Sequence, residues 1–332
     1  MVASSHNQTD ASSYPMITVG LTAYNSAATI ERAVVSALNQ TWRPIEIVAI
    51  DDCSTDNTAS IISRIADSHP ELRMFRNHKN LGVAATRNRV LAEAKGAFIA
   101  FFDDDDESLP QRLSIQLRRI LDYERNFANG APVVCHTARR QYYPNGLDRI
   151  VSTMGQNERR SAPTGLPVAE RILLGTPLLD GYGACATCSQ MGRVAIYRDL
   201  GGFDPTFRRS EDTEFNIRLA KAGGHFVGVA SPQVSQTMTN GSEKRLAEEY
   251  RNTLALMDKH RDVMDRKGQY KFCRRMVDAK QAWLEGRSVD FVIRLAGLAA
   301  RHPFITVRRL ALAVPNLRLN RAIGRFHNQP EG

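Results

Sequence analysis

Four consecutive aspartates, Asp103-Asp104-Asp105-Asp106, close the apolar run from Phe98 to Phe102 and lead into Glu107-Ser108-Leu109-Pro110. Carboxylates crowded this closely repel one another and raise each other's pKa, so the run calls for a cation or a polar ligand that neutralises it. A divalent metal carrying a phosphorylated substrate meets that need. The plain alternative is a hydrated acidic turn ahead of a helix that starts near Pro110, because charge runs commonly face water. Two other polar clusters, Thr22-Ala23-Tyr24-Asn25 and Asp51-Asp52-Cys53-Ser54-Thr55-Asp56, also follow short apolar segments. Much later, Glu211 and Asp212 follow Ser210 at the start of a helical pattern. Ser210 is placed to cap that helix, and acids in a first turn often only answer the helix dipole, so pattern alone leaves their role open.

The elements that must position the three clusters alternate in type. Residues 16–21 read as a strand, and Ile30, Val34, Val35 and Leu38 recur at helical spacing within 28–40. A second strand at 45–50, a helix at 58–67 and a third strand at 72–75 follow. Asn80-Leu81-Gly82 opens a helix carrying Val83, Arg87, Val90, Leu91 and Ala94, which Gly96 ends before the strand at 98–102. This alternation predicts an α/β fold, a Rossmann-like, mainly parallel sheet flanked by helices. Ligands of such sheets gather outside the carboxyl ends of the strands. All three clusters fall at such ends, which predicts one shared site in place of three separate wet turns.

Beyond Pro110, Leu113, Leu117, Ile120 and Leu121 line one side of an amphipathic segment. The Asn145-Gly146 turn signal predicts a hairpin between 133–137 and the residues that follow it. Residues 154–167 are irregular and read as a mobile loop, and pattern returns at Val194-Ala195-Ile196-Tyr197. From Ser242 onward the chain reads as consecutive helices broken near Gly268, Gly286, Pro303 and Pro315. There Phe291, Val292, Leu295, Leu298 and Ala299 make an apolar face and Arg294 and Arg301 lie on another. Such a basic amphipathic region suits an anionic membrane surface or an acidic partner, or packs on the domain with its arginines in water.

A chain of 332 residues accommodates one large α/β domain with an appendage. The expected division is a disordered tail at 1–14, the α/β domain at 15–240 and a helical C-terminal extension at 241–332. The net charge is +9, but residues 287–325 alone supply +7, with eight arginines and one acid, Asp290. The basic character therefore belongs to the tail and not to the acidic site, which argues against a nucleic-acid partner. Five scattered cysteines do not make a disulfide framework, and Cys185-Ala186-Thr187-Cys188 has no second pair to complete a zinc site. With no bilayer-length apolar run and no signal-peptide pattern, the expected location is cytoplasmic, peripheral on the inner face of the membrane if the basic helices bind it.

Several of these motifs, in this order, resemble family 2 glycosyltransferases of the GT-A fold over residues 15–235. The segment from Ile17 to Asn25 is similar to the family's opening strand and nucleotide loop, and Ser36-Ala37-Leu38-Asn39-Gln40-Thr41 to its helix end. Asp51 to Asp56 is similar to its second motif, with Cys53 where glycine is usual, and Asn80 to Asn88 is typical as well. The acidic run matches the D-x-D motif in the register Asp103-Asp104-Asp105, and Glu211-Asp212 falls where the family carries its catalytic pair.

The resemblance implies an inverting enzyme that moves one sugar from a nucleotide-sugar donor, a UDP-sugar in the first instance, to a glycan or lipid-linked acceptor of surface polysaccharide. Asp52 would accept from the imide of a uracil-like base, with Thr22, Ala23, Tyr24 and Asn25 forming the nucleotide wall. Asp103 or Asp104 would hold ribose, and Asp105 with Asp103 would ligate Mg²⁺ or Mn²⁺. Arg87 would orient the acidic run or a phosphate, Asp212 would act as general base and Glu211 would position Asp212 or the acceptor. The chain departs from the family pattern in lacking a histidine near 234–240, so no third metal ligand is named, and in lacking the Gln-x-x-Arg-Trp motif of processive synthases. A nucleotidyltransferase would need a glycine-rich basic loop after the first strand, and a non-catalytic protein that binds nucleotide sugar or docks on a membrane would not need both Asp105 and Asp212.

Overall fold

Ile17–Ala23 (β1) takes the middle of a sheet because its residues are buried along nearly the whole strand, Ile17, Val19 and Leu21 toward one core and Thr18 and Gly20 toward the other face. The computed structural model describes residues 14–238 and 243–313. After β1 come Ile30–Leu38 (α1), Ile45–Asp51 (β2), Thr58–Ala66 (α2), Leu72–Arg76 (β3), Val83–Glu93 (α3) and Phe98–Asp103 (β4). The strands lie side by side as β3-β2-β1-β4, all parallel, so the alternation predicted for this half is realised.

The second half differs from a mainly parallel sheet. It contains Asp106–Ser108 (β5), Arg112–Tyr123 (α4), Val133–Tyr142 (β6), Asp148–Val151 (β7), Leu166–Leu174 (α5), Gln190–Arg193 (β8), Val194–Asp199 (α6), Glu211–Lys221 (α7) and His225–Thr237 (β9). The sheet continues from β4 as β8-β6-β9-β5, with β7 paired to β6 as the expected hairpin. Here β8 runs antiparallel to both β4 and β6, and β5 antiparallel to β9, while β6 and β9 are parallel.

Two cores cover the two faces. Residues alternate between them along β4, with Phe98, Ala100 and Phe102 meeting α1 and α4, and Ile99 and Phe101 meeting α3 and the aromatic group Tyr197, Phe203 and Phe215. The segment 154–167 is irregular but not loose. Gly155 donates to the Asp180 carbonyl and accepts from Gly228, both at 2.8 Å, and Met154 and Ala162 are buried. Its φ of 75° and its approach to β9 leave no room for a side chain, since a Cβ would lie 1.9 Å from the Phe226 carbonyl oxygen. The expected mobile loop is a strap laid against β9.

The C-terminal helices are Glu243–Lys259 (α8), Arg261–Asp265 (α9), Tyr270–Leu284 (α10), Ser288–Arg301 (α11) and Pro303–Ala313 (α12). Breaks fall at Gly268, Gly286 and Pro303 as expected, with a further one at His260. A third cluster, Met257, Met264, Phe272, Cys273 and Leu298, packs these helices onto Leu174 of α5. The tail before Tyr14, the boundary at 240/241 and Pro315 lie outside the described residues. Tyr14 itself packs edge-on against Trp42 at 5.3 Å between ring centroids.

Candidate active site

Strand register assembles the site. Thr22 is level with Asp103 on one side and Ala23 with Asp51 on the other, so the carboxyl ends of β1, β2 and β4 share one edge. A cleft of about 840 Å³ opens there, lined by Thr22, Ala23, Tyr24, Asp52, Asn80, Gly82, Thr86, Arg87 and Asp103 to Asp105, and on the opposite wall by Arg208 to Asp212 and Glu248.

The floor of the cleft is held from behind. The Asp52 carboxylate accepts the backbone amides of Leu81 at 2.9 Å and Gly82 at 2.8 Å and the Asn77 side chain at 2.7 Å, which ties the second strand end to the loop before α3. Cys53 stands at φ +65°, a left-handed conformation that favours glycine, which is the physical reason glycine is usual there. Asn25 is not brought into the cleft; its Oδ1 accepts the Thr55 amide at 2.8 Å and its amide donates to Ser54, so it staples two loops. Gln40, buried at the end of α1, donates to the Leu109 carbonyl and accepts from Leu113, and so fixes the segment after the acidic run. Arg112, fully buried against the Phe102 ring, donates to the Phe101 carbonyl at 2.9 Å and to Ser108 at 2.8 Å, clamping both sides of that run.

The four aspartates separate once folded. Asp103 ends β4 and accepts from Arg87 at 2.9 Å. Asp104 accepts the Tyr24 amide at 2.9 Å; burial, reinforced by Asp105 and Asp103, pushes its pKa up to about 6. Asp105 is on the exposed rim, its pKa raised by partial desolvation and by Asp103. Asp106 turns inward to begin β5, where it accepts from Gln236 of β9 at 2.8 Å. Burial first, then Asp103 and Asp105, raise its pKa.

Ligand atoms of Asp103, Asp106 and Cys188 lie within 4.8 Å of one another. Burial raises the Cys188 thiol, which keeps it protonated, so the donors offered here are carboxylate oxygens. Carboxylates crowded at one strand end repel one another, which a cation relieves, and hard oxygen donors suit Mg²⁺ or Mn²⁺. The residues present therefore fit such an ion.

The opposite wall is the start of α7. Ser210 does not cap it through its side chain; it adopts φ +65° and its carbonyl accepts the Glu214 amide at 2.9 Å. Glu211 is buried and ion-paired with Arg87; burial raises its pKa, Arg87 opposes this and Asp212 adds to it. Burial alone would lower the Arg87 pKa, but Asp103, Glu211 and Asp212 outweigh it. Asp212 faces the cleft, and its hydrogen bonds are local, to the amide and hydroxyl of Thr213.

The family model for glycosyl transferase family 2 matches residues 18–190, more than half of the chain. The chain belongs to glycosyltransferase family 2. Among curated proteins it is 40% identical over 119 residues to the succinoglycan biosynthesis protein ExoO of Rhizobium meliloti, covering 36% of this chain and 32% of that one. It is 41% identical over 102 residues to the Escherichia coli UDP-Glc:alpha-D-GlcNAc-diphosphoundecaprenol beta-1,3-glucosyltransferase WfaP, covering 31% and 40%. The matched segment thus spans less than half the length of these two relatives. S. aureus TarS solved with UDP-GlcNAc superposes with a TM-score of 0.57 at 19% identity, covering 85% of this chain and 80% of that chain. The Pyrobaculum calidifontis mannosyltransferase PcManGT, solved with GDP-Man and Mn²⁺, gives 0.56 at 16% identity, covering 95% and 85%. These two likenesses carry the fold, a GT-A sheet with flanking helices.

Within this glycosyltransferase several site residues escaped the sequence reading. Asp106, Gln236, Arg139 and Cys188 form a layer beneath the acidic run, with Arg139 donating to Gln236 at 2.9 Å and to the Cys188 sulfur at 3.6 Å. Arg139 and Gln236 lie far apart in the chain and leave no local signal, whereas Asp106 and Cys188 belong to the acidic run and the Cys185/Cys188 pair and only their meeting was hidden. Arg208 and Arg209 on the cleft wall were legible as a basic pair just ahead of Ser210. Glu248 of α8, which pairs with Arg209 at 3.3 Å, was not.

Proposed function

We propose that this glycosyltransferase moves one sugar, with inversion, from a nucleotide-diphosphate donor, a UDP-sugar, to a hydroxyl of a glycan or lipid-linked acceptor in surface polysaccharide synthesis, and that its basic C-terminal helices meet an anionic membrane surface. The observation that carries the reading is the bridge made by Arg87, which holds Asp103 of the donor side and Glu211 of the catalytic helix across one cleft while Asp212 faces into it. The UDP-Glc donor of WfaP and the UDP-GlcNAc bound to TarS support a uridine donor, and succinoglycan biosynthesis by ExoO and the diphosphoundecaprenol acceptor of WfaP support a glycan or lipid-linked acceptor.

In this reading Thr22, Ala23 and Tyr24 form the wall for base and ribose, Asp52 fixes the adjoining loop and uses remaining acceptor capacity on Oδ2 for the base imide, and Asp103 or Asp104 holds ribose. Asp103 and Asp105, with Asp106 behind them, would hold Mg²⁺ or Mn²⁺, which supplies positive charge to the departing diphosphate. Asp212 accepts the proton of the acceptor hydroxyl as that oxygen bonds to the anomeric carbon; the bond from that carbon to the phosphate oxygen breaks and the nucleoside diphosphate leaves. Glu211, fixed by Arg87, keeps the first turn of α7 in place. Arg208 and Arg209 offer positive charge at the cleft edge.

A thermal-shift panel of nucleotide sugars with and without Mn²⁺ tests the donor class, since a ligand that binds only the folded state raises its melting temperature. A Mn²⁺-dependent rise with a UDP-sugar is expected; no rise with any UDP- or dTDP-sugar overturns it.

A further inference from the structure

We infer that α11 and α12 dock the protein on an anionic lipid surface by inserting an apolar ridge made of Val289, Val292, Ile293, Phe304 and Val307 between flanking arginines. The inference deepens the membrane partner proposed above and rests on it.

The sequence pattern gave α11 one apolar face, but folded it is apolar on two sides. Leu298 is buried in the third cluster and Phe291 packs against Trp283 at 5.3 Å between ring centroids. Val292, assigned to that same inner face by its spacing, instead points outward with Val289 and Ile293, and these three are 60%, 76% and 64% exposed. An outward apolar stripe in addition to the inner one is an exposed hydrophobic patch of the kind that marks a contact surface. The next helix repeats the arrangement: Thr306 is buried and Ile305 packs on the third cluster, while Phe304 and Val307 are 89% and 65% exposed. Of the sixteen large apolar residues exposed in the described chain, eight fall between Trp283 and Leu310, so the exposure is a local property of this surface.

Charge decides what covers it. Arg294, Arg301 and Arg308 are exposed on these two helices. Their one acid, Asp290, is already paired with Arg287 and with Arg294 at 2.6 Å. A second copy of the face would bring arginine against arginine. Anionic headgroups complement the arginines while the acyl boundary takes up the apolar ridge, which is how interfacial helices bind.

The ridge is also mechanically joined to the catalytic helix. The third cluster packs α11 onto α8, α9 and α10, and from there Lys259 reaches Glu214 of α7 at 2.6 Å and Asp204 at 2.5 Å, while Lys221 of α7 meets Asp262 of α9 at 2.7 Å. Docking through the ridge therefore sets the attitude of the cleft toward the surface that presents a lipid-linked acceptor.

Co-sedimentation of the full chain with vesicles of phosphatidylcholine, alone or mixed with phosphatidylglycerol, tests the inference, with light scattering to report the oligomeric state. The wild type is expected to sediment with the phosphatidylglycerol mixture. The Ile293→Glu, Phe304→Glu double variant is expected to stay in the supernatant with unchanged circular dichroism and unchanged thermal shift by donor. Replacing Arg294, Arg301 and Arg308 with glutamine lowers the partition coefficient onto anionic vesicles about a hundredfold. The inference is overturned if the wild type does not sediment, if the double variant sediments as well as the wild type, or if the ridge variants only convert a dimer to a monomer. Loss of docking with the donor shift intact, or the reverse, separates failure of this surface from failure of the donor reading.

Discussion

Arg87 and Glu211, 124 residues apart in the chain, form a buried ion pair, and the other arm of the same guanidinium reaches Asp103 at 2.9 Å. One planar fork thus ties the end of β4, on the proposed donor side, to the helix start that carries the proposed base. Removing it in Arg87→Ala leaves the buried Glu211 carboxylate without its counter-charge beside a half-buried Asp103 and is expected to lower unfolding stability by about 3 kcal/mol, measured by urea denaturation. Arg87→Lys keeps a charge but cannot bridge both partners. It is expected to retain most of the stability yet lose about a hundredfold in turnover, because small misplacements at a reacting centre cost that much.

Glu214 provides a pH dependence with a defined sign. It is fully buried and receives Lys259 at 2.6 Å, Arg218 at 2.7 Å and His260 at 3.3 Å. Burial opposes its charge, but the hydrogen bonds from His260, Arg218 and Lys259 prevail and lower its pKa from 4.5 to about 2. A carboxylate whose folded pKa is depressed stabilises the fold above its unfolded pKa, and that contribution is lost as pH falls from about 4.5 toward 2. Glu214→Gln is therefore expected to lose about 3 kcal/mol at pH 7. The gap to wild type should narrow steadily in urea titrations below pH 4.5.

Asp105 sits on the rim of the acidic run, and the proposed ion depends on it. Asp105→Ala is expected to weaken Mn²⁺-dependent donor binding by more than the roughly 10- to 100-fold that loss of an outer-shell partner costs. Chelation should abolish donor binding in the wild type and added Mn²⁺ restore it. Equal calorimetric affinities with and without Mn²⁺ would remove the assignment.

Cys53 supplies a stability prediction independent of chemistry. Its left-handed backbone costs a side-chain-bearing residue about 1–2 kcal/mol, partly offset by the extra unfolded-state freedom of glycine. Cys53→Gly is expected to raise stability by about 0.5–1 kcal/mol without changing donor affinity.

How much of this was legible in the sequence follows from how local each determinant is. The strand ends at Thr22, Asp51 and Asp103 could be read because each element carries its own apolar pattern, and parallel pairing then places their carboxyl ends together. The inward turn of Asp106 could not, because it depends on β9 arriving with Gln236 from the other end of the domain. The mixed second half of the sheet was hidden for a similar reason, since β5 and β8 are too short to show a period. Ser210 looked like a helix cap by residue type, yet its positive φ turns the side chain away from that role. The outward apolar side of α11 was masked by the helical wheel itself, which assigns one face and does not reveal that two are apolar.

The central claim is that Asp212, and not the acidic run, takes the acceptor's proton. Parallel assays of Asp212→Asn test it most directly: donor binding by thermal shift and sugar transfer by product formation. Donor and Mn²⁺ are expected to bind as in the wild type while transfer falls by about two orders of magnitude or more. Turnover at the wild-type rate in that variant would contradict the account.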